Sequence, residues 1–177
     1  MSSLIPLKFQ GKPSWLNARL FSLYINTVHP DIEEIFLSAL TPGTVLILNS
    51  CMLNVLSIES KIITMDHLPL IPQLKCRGPV VIREKGKYFR VGDENFESHL
   101  ISALKRKADA VVGKDTVVRG VKIINSRRKL YKVAGHNVPA SILSFIVDAD
   151  EDVIRTALTY GVGAKTQMGF GMVVLSE

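Results

Sequence analysis

The residues of this chain that could do chemistry together lie near its end. Gly161-Val162-Gly163-Ala164-Lys165-Thr166-Gln167-Met168-Gly169-Phe170-Gly171 places four glycines in eleven residues around one cation and two polar side chains. Glycine accepts positive φ and lets a backbone or a ligand approach where a Cβ would otherwise stand. The stretch therefore reads as a shaped loop that faces an anion, a phosphate above all. Spacing argues against two nucleotide-binding chemistries. A phosphate-cradling P-loop needs its Lys directly after the second glycine, with a strand before and a helix after, whereas Ala164 separates Gly163 from Lys165. The dinucleotide fingerprint GxGxxG fails because Thr166 stands at its third glycine. A reading that needs no ligand stays open: a turn whose glycines only let a helix and a strand pack closely. It accounts well for Gly161 as a helix stop.

Charge points to the same kind of partner. The 177 residues carry a formal net charge of +6. Between Lys75 and Lys132 there are 16 Lys or Arg against 6 Asp or Glu, a local net of +10, which leaves −4 for the rest. A basic segment this lopsided favours a polyanion over an evenly mixed solvated surface. Within it, Lys105-Arg106-Lys107 falls at the end of a predicted helix, where cations also suit the macrodipole. Arg127-Arg128-Lys129 falls at a predicted hairpin tip, within reach of phosphates. Arg119 and Lys122 lie on the strand before that tip. Two cysteines, Cys51 and Cys76, make neither a disulfide framework nor a metal set, and no Cys/His spacing suggests zinc. No metal and no cofactor are expected. The N-terminus lacks a signal-peptide pattern, and the apolar stretch 45–58 is too short and too often interrupted to span a bilayer. These features point to a soluble, cytoplasmic protein without a membrane partner.

The elements that must position these residues follow from periodicity. Residues 1–19 look like an irregular lead-in, and Leu20 to Val28 like a strand. A helix starts at Pro30, with Asp31, Glu33 and Glu34 in its first turn and Ile32, Ile35, Phe36, Ala39 and Leu40 on one face. Strands are predicted over 44–49, 52–58 and 61–65, and a proline-bearing loop with a domain boundary near residue 68 follows. Pro79 to Arg83 and Tyr88 to Val91 read as a hairpin or a bent strand pair. Asp93 is placed to cap a helix whose apolar positions Phe96, Leu100, Ala103, Leu104, Ala108 and Val111 recur at 3.6, with Gly113 as its left-handed stop. Strands are expected over 116–124, 130–133 and 141–147. A helix capped by Asp148 or Asp150 carries Val153, Ile154, Ala157 and Leu158 to Gly161, and a strand over 169–175 closes the chain. Setting the hairpin aside, residues 79–177 spell β-α-β-β-α-β, an α+β, ferredoxin-like (RRM-like) order.

The terminal pattern G-x-G-x-K-x-x-x-G-F-G-M-V resembles the glycine-rich loop of the CRISPR repeat-processing endoribonucleases, within the RAMP group of RNA-binding proteins. A second stretch matches as well: Gly78-Pro79-Val80-Val81-Ile82-Arg83, Tyr88, and Gly92-Asp93-Glu94-Asn95-Phe96 leading through Leu100 and Leu104 to Lys105-Arg106-Lys107. The resemblance covers residues 77–177 and, more loosely, 20–57. It implies a tandem of ferredoxin-like lobes, here an incomplete first lobe over 1–68 and a complete one over 69–177.

The resemblance further implies CRISPR repeat RNA as the partner. The implied reaction is a metal-independent cleavage in which a 2′-hydroxyl attacks the adjacent phosphate, leaving a 2′,3′-cyclic phosphate. In that family a helix of the first lobe supplies a His, a residue whose pKa lies near working pH. Leu20 to Leu40 matches the middle strand and second helix of that lobe, so the opening strand and the His-bearing helix have no counterpart. His29 is the candidate that remains, against a simpler role as a turn or cap residue. His99 reads as a solvated helix residue, and His67 and His136 as isolated loop residues. Gly161, Gly163, Lys165, Thr166, Gln167, Gly169, Phe170 and Gly171 form the expected RNA platform, extended by Lys105 to Lys107, Arg119, Lys122 and Arg127 to Lys129. The alternatives are a non-catalytic RAMP subunit on guide RNA in an effector complex, and a metabolite-binding regulatory tandem that would leave the +10 segment without a use. A half-formed lobe also exposes strand edge, so a homodimer or effector-complex subunits are further expected partners.

Overall fold

Two larger sheets and a separate two-stranded hairpin are found among the described residues. The computed structural model describes residues 2–10, 20–27, 30–48, 51–59, 61–63 and 68–176, which fall into two compact units, Met1–His67 and Leu68–Glu177. In the first unit, strands β1 (Ser2–Gln10), β2 (Leu20–Thr27), β3 (Val45–Leu48) and β4 (Cys51–Ile58) form a sheet in the order β2-β1-β4-β3, and β5 (Lys61–Ile63) pairs with β1. Helix α1 (Pro30–Ala39) follows β2. Its Phe36 packs with Leu46 and Ile58 against buried Leu40, Leu53 and Val55, while Ile32 and Ile35 remain exposed.

The opening segment corrects the sequence reading. Residues 2–10 are not an irregular lead-in but the central strand of the sheet, pairing with β2 on one side and β4 on the other. A strand therefore precedes β2, where the sequence reading expected none. It pairs with β2 in a continuous antiparallel register from Ser3 opposite Thr27 to Gln10 opposite Leu20.

The second unit contains β6 (Gln73–Cys76), β7 (Ile82–Glu84), β8 (Lys87–Phe89), α2 (Phe96–Val112), β9 (Val118–Val133), β10 (His136–Ala149), α3 (Glu151–Tyr160) and β11 (Val173–Leu175). Its main sheet is antiparallel, in the order β11-β6-β10-β9, and β7 and β8 form a separate hairpin. Helix α2 turns Phe96, Leu100, Ala103, Leu104 and Ala108 inward, and α3 turns Val153, Ile154, Ala157 and Leu158. Val111, expected on the same stripe, is exposed near the helix end. Fully buried Leu74, Leu143, Phe145 and Val147 form the inner face of the sheet.

Three expectations for this unit change. The opening strand is β6, inside the segment read as a proline loop. Gln73-Leu74-Lys75-Cys76 alternates buried and open positions, but four residues after Pro72 give a short signal. Asp93 does not cap α2: its carboxylate accepts from the Arg90 N–H at 2.7 Å, and Asn95, at φ 57°, stands at the helix start. The basic run 126–129 is no hairpin tip. It lies inside β9, a continuous strand of 16 residues, and the chain turns at Ala134-Gly135, both at positive φ. Two successive positive φ values form the tight turn whose twist matches a hairpin. The basic residues fit strand geometry here because β9 is the sheet edge, where charges block unwanted pairing.

Candidate nucleic-acid interface

The glycine loop is held by its own backbone. The Val162 N–H donates to the Gly171 carbonyl at 2.7 Å, the Ala164 N–H to Val81 at 2.7 Å, and the Gly171 N–H to Pro79 at 2.8 Å. A Cβ on Gly171 would stand 1.9 Å from the Val162 carbonyl oxygen, and one on Gly163 would stand 2.4 Å from that of Val81. Close packing, the reading that asks for no ligand, thus explains Gly161, Gly163 and Gly171. Gly169 differs: it sits at φ 81° after a short 3-10 turn, Thr166–Met168, with open space around it. Phe170 is buried against Val81, Val138 and Ala140 and meets Tyr131 edge to face at 5.8 Å. It anchors the loop to the β9–β10 hairpin and is not available to a ligand. Lys165, at φ 61°, is half-buried, and Gln167 and Met168 are the side chains of the loop exposed to solvent.

Several of the expected RNA-binding cations are committed elsewhere. The Lys107 ammonium donates to the carbonyls of Tyr160 (3.0 Å) and Gly161 (3.1 Å) and to Thr166 Oγ1 (3.2 Å). It thereby ties the end of α3 and the glycine loop to α2. Burial lowers its pKa to about 8, so it is charged at neutral pH. Lys105 bonds Asp109 and Asp115, whose carboxylates raise its pKa, and Asp109 also accepts from Thr116 at the entry to β9. Arg119 is paired with Asp148 and Asp150. Arg128 donates to the Val91 carbonyl at 2.6 Å and to Asp93 at 3.0 Å. Of the 105–107 run, only Arg106 is exposed and without an ion pair among the described residues.

Strand register decides what remains. Side chains two apart on a strand share a face, and on β10 these are Ile142, Ser144 and Ile146. Their partners are Arg127 for Ile142, Asn125 and Lys75 for Ser144, and Lys122 for Ile146. Lys129, opposite Ala140, continues the series toward Tyr131 and the glycine loop. Lys75, Lys122, Arg127 and Lys129 therefore share the face turned away from the buried inner one, and none has an ion pair among the described residues. Arg128, opposite Ser141, points the other way. Asp148 is the acid on this face, and Arg119 neutralises it. The sequence reading missed Lys75, Asn125 and Ser144, because only pairing brings β6 beside β10.

The catalytic candidate His29 and the isolated His67 lie outside the described residues. His99 is not a solvated helix residue: its Nδ1 meets Glu84 Oε2 at 2.5 Å, and its ring stacks on Phe89 at 3.7 Å, which ties α2 to the β7–β8 hairpin. His136 is exposed beside the β9–β10 turn. Among the described residues no group of metal-ligating side chains is found, and no helix is long and apolar enough to cross a membrane. Cys76 is a buried free thiol, and burial pushes its pKa to about 11. Peptide-mapped iodoacetamide labelling at about pH 7.5 is expected to be on the order of 100-fold slower at Cys76 in the folded chain than in urea. Equal rates would contradict its burial.

Fold and surface together define an α+β protein with a basic face on an antiparallel sheet. A family model described as CRISPR associated protein Cas6, C-terminal, matches residues 69–175, and the chain belongs to this family. A solved structure described as CRISPR associated protein Cas6 superposes with a TM-score of 0.76 at 18% identity, covering 100% of both chains. Another, described as a RAMP protein binding different RNA substrates, gives 0.71 at 20% identity over 97% of this chain and 79% of its own. A Cas6 product complex gives 0.57 at 15% identity over 97% and 82%. At these identities the likeness is one of fold. No curated protein matches the sequence. The resemblance carried by the glycine loop and the Gly78 to Lys107 stretch is thus borne out as family membership.

Proposed function

We propose that this chain binds CRISPR repeat RNA through its second unit, as a Cas6-type protein whose reaction is metal-independent processing of precursor RNA to 2′,3′-cyclic phosphate ends. The observation that carries the reading is the set of four cations without ion pairs among the described residues, Lys75, Lys122, Arg127 and Lys129, on one sheet face beside the glycine loop. Phosphates would meet these cations together with Lys165 and Arg106, and base edges would meet the polar groups between them. The order β11-β6-β10-β9 with two helices supports reading this unit as a ferredoxin-like lobe, and the first unit as a reduced version of the same design.

The test incubates the purified chain with a 5′-labelled repeat hairpin in EDTA. Cleavage within the repeat to a cyclic phosphate supports processing. Tight binding without cleavage supports the alternative of a non-catalytic RAMP subunit in an effector complex. Counting the four sheet cations alone, the logarithm of affinity is expected to fall with the logarithm of salt at a slope of about −3 or steeper. Absent or salt-indifferent binding would reject the RNA reading altogether.

A further inference from the structure

We propose that a pocket on the cationic sheet face of the second unit is a subsite for one unpaired RNA nucleotide. This rests on the RNA reading above and deepens it. The pocket has a volume of about 250 Å³ and is lined by Lys75, Asn125, Ser126, Arg127, Ile142 and Ser144. That is below the roughly 300–1,000 Å³ of cavities that enclose a whole drug-sized or cofactor ligand, and it suits a single heterocycle.

Register explains its chemistry. Lys75, Ser144 and Asn125 form one row across β6, β10 and β9, and Ile142 and Arg127 form the next. Ile142 is a part-exposed apolar residue against which a base can lie. The Asn125 amide carries both donors and an acceptor, and the Ser144 hydroxyl can do either, so the lining can read a base edge. Lys75 and Arg127 are both exposed, without ion pairs among the described residues, and stand on opposite sides of β10. Two cations flanking a small, partly apolar pocket match a base with a phosphate on either side. A paired base cannot use it, because its edge is already occupied and its faces are stacked. Single-stranded segments, whose bases can be splayed out, are what RNA-binding sheet faces recognise.

The experiment compares two RNAs, a repeat hairpin with single-stranded flanks and the same hairpin trimmed to a blunt stem. Arg127→Ala and Lys75→Ala are each expected to weaken binding of the flanked RNA on the order of tenfold, the scale of one charge-assisted contact. Binding of the blunt stem should change by no more than about threefold, as should binding of both RNAs to a charge-matched control, Lys114→Ala. A 4-thiouridine in the flank should crosslink to peptides containing 125–127 or 142–144 of the wild-type chain. Equal losses on both RNAs, no loss on either, or crosslinks confined to other segments would overturn the pocket while leaving RNA binding intact. A wild-type chain that bound neither RNA would instead overturn the functional reading first and the pocket with it.

Discussion

Gly171→Ala is expected to destabilise the second unit by about 3–5 kcal/mol, the sum of a left-handed backbone that L side chains resist and a forced displacement in a packed interior. The residue sits at φ 72°, and its new methyl would lie 1.9 Å from the Val162 carbonyl oxygen. Room could come only from moving Val162, whose N–H donates to the Gly171 carbonyl itself. The same shift would disturb the Gly171 N–H bond to Pro79 and the seat of Phe170 on Val81, Val138 and Ala140. Gly169→Ala is the control. It shares a positive φ, 81°, but faces open space, so only the backbone term of about 1–2 kcal/mol applies. Urea unfolding of the full chain measures both. Equal losses at the two positions would show that backbone conformation, and not close approach, governs the loop.

Lys107→Met is expected to cost about 1–3 kcal/mol, because the carbonyls of Tyr160 and Gly161 and the Thr166 hydroxyl lose a shared donor in a partly buried place. The change also removes a pH dependence. Burial holds the folded-state pKa at about 8 against an ordinary 10.5. Below about 8 both states are protonated, and the folded chain bears the full cost of the half-buried charge. Between about 8 and 10.5 the unfolded chain binds the extra proton, so this group makes stability rise with pH. Comparing urea unfolding at about pH 7 and pH 9.5 should therefore give a more positive slope in the wild type than in the Met variant. Identical slopes would contradict the burial of this ammonium. RNA affinity at neutral pH should follow loop integrity, since Lys107 spends its donors within the protein.

These two residues mark where sequence reading was strong and where it stopped. The glycine cluster was legible as a special loop, but glycines lining a ligand and glycines admitting a neighbouring backbone look alike in sequence. Contacts with the backbones of Gly171, Val81 and Val162 decide between them for Gly161, Gly163 and Gly171 in turn. Lys105, Arg106 and Lys107 looked equivalent as a basic run. One is paired with Asp109 and Asp115, one tethers the loop, and one is exposed. Helix rotation of about 100° per residue makes that separation, but only the identity of the neighbours gives it meaning.

By itself the sequence determined what depends on local period and composition: the helices α2 and α3 with their glycine stops, the strands with strong apolar runs, the concentration of positive charge in 75–132, and the motifs that define the family. Tertiary structure decided what depends on partners distant in the chain. β6 is a strand because β10 and β11 flank it, and β9 runs unbroken through Arg127 to Lys129 because β10 pairs with it throughout. That pairing sets the register, and register assigns faces. It sends Arg128 to Val91 and Asp93, and leaves Arg127 with Lys75, Lys122 and Lys129 on the open face. Neighbouring residues in one basic run therefore have opposite roles, because successive side chains on a strand point to opposite sides.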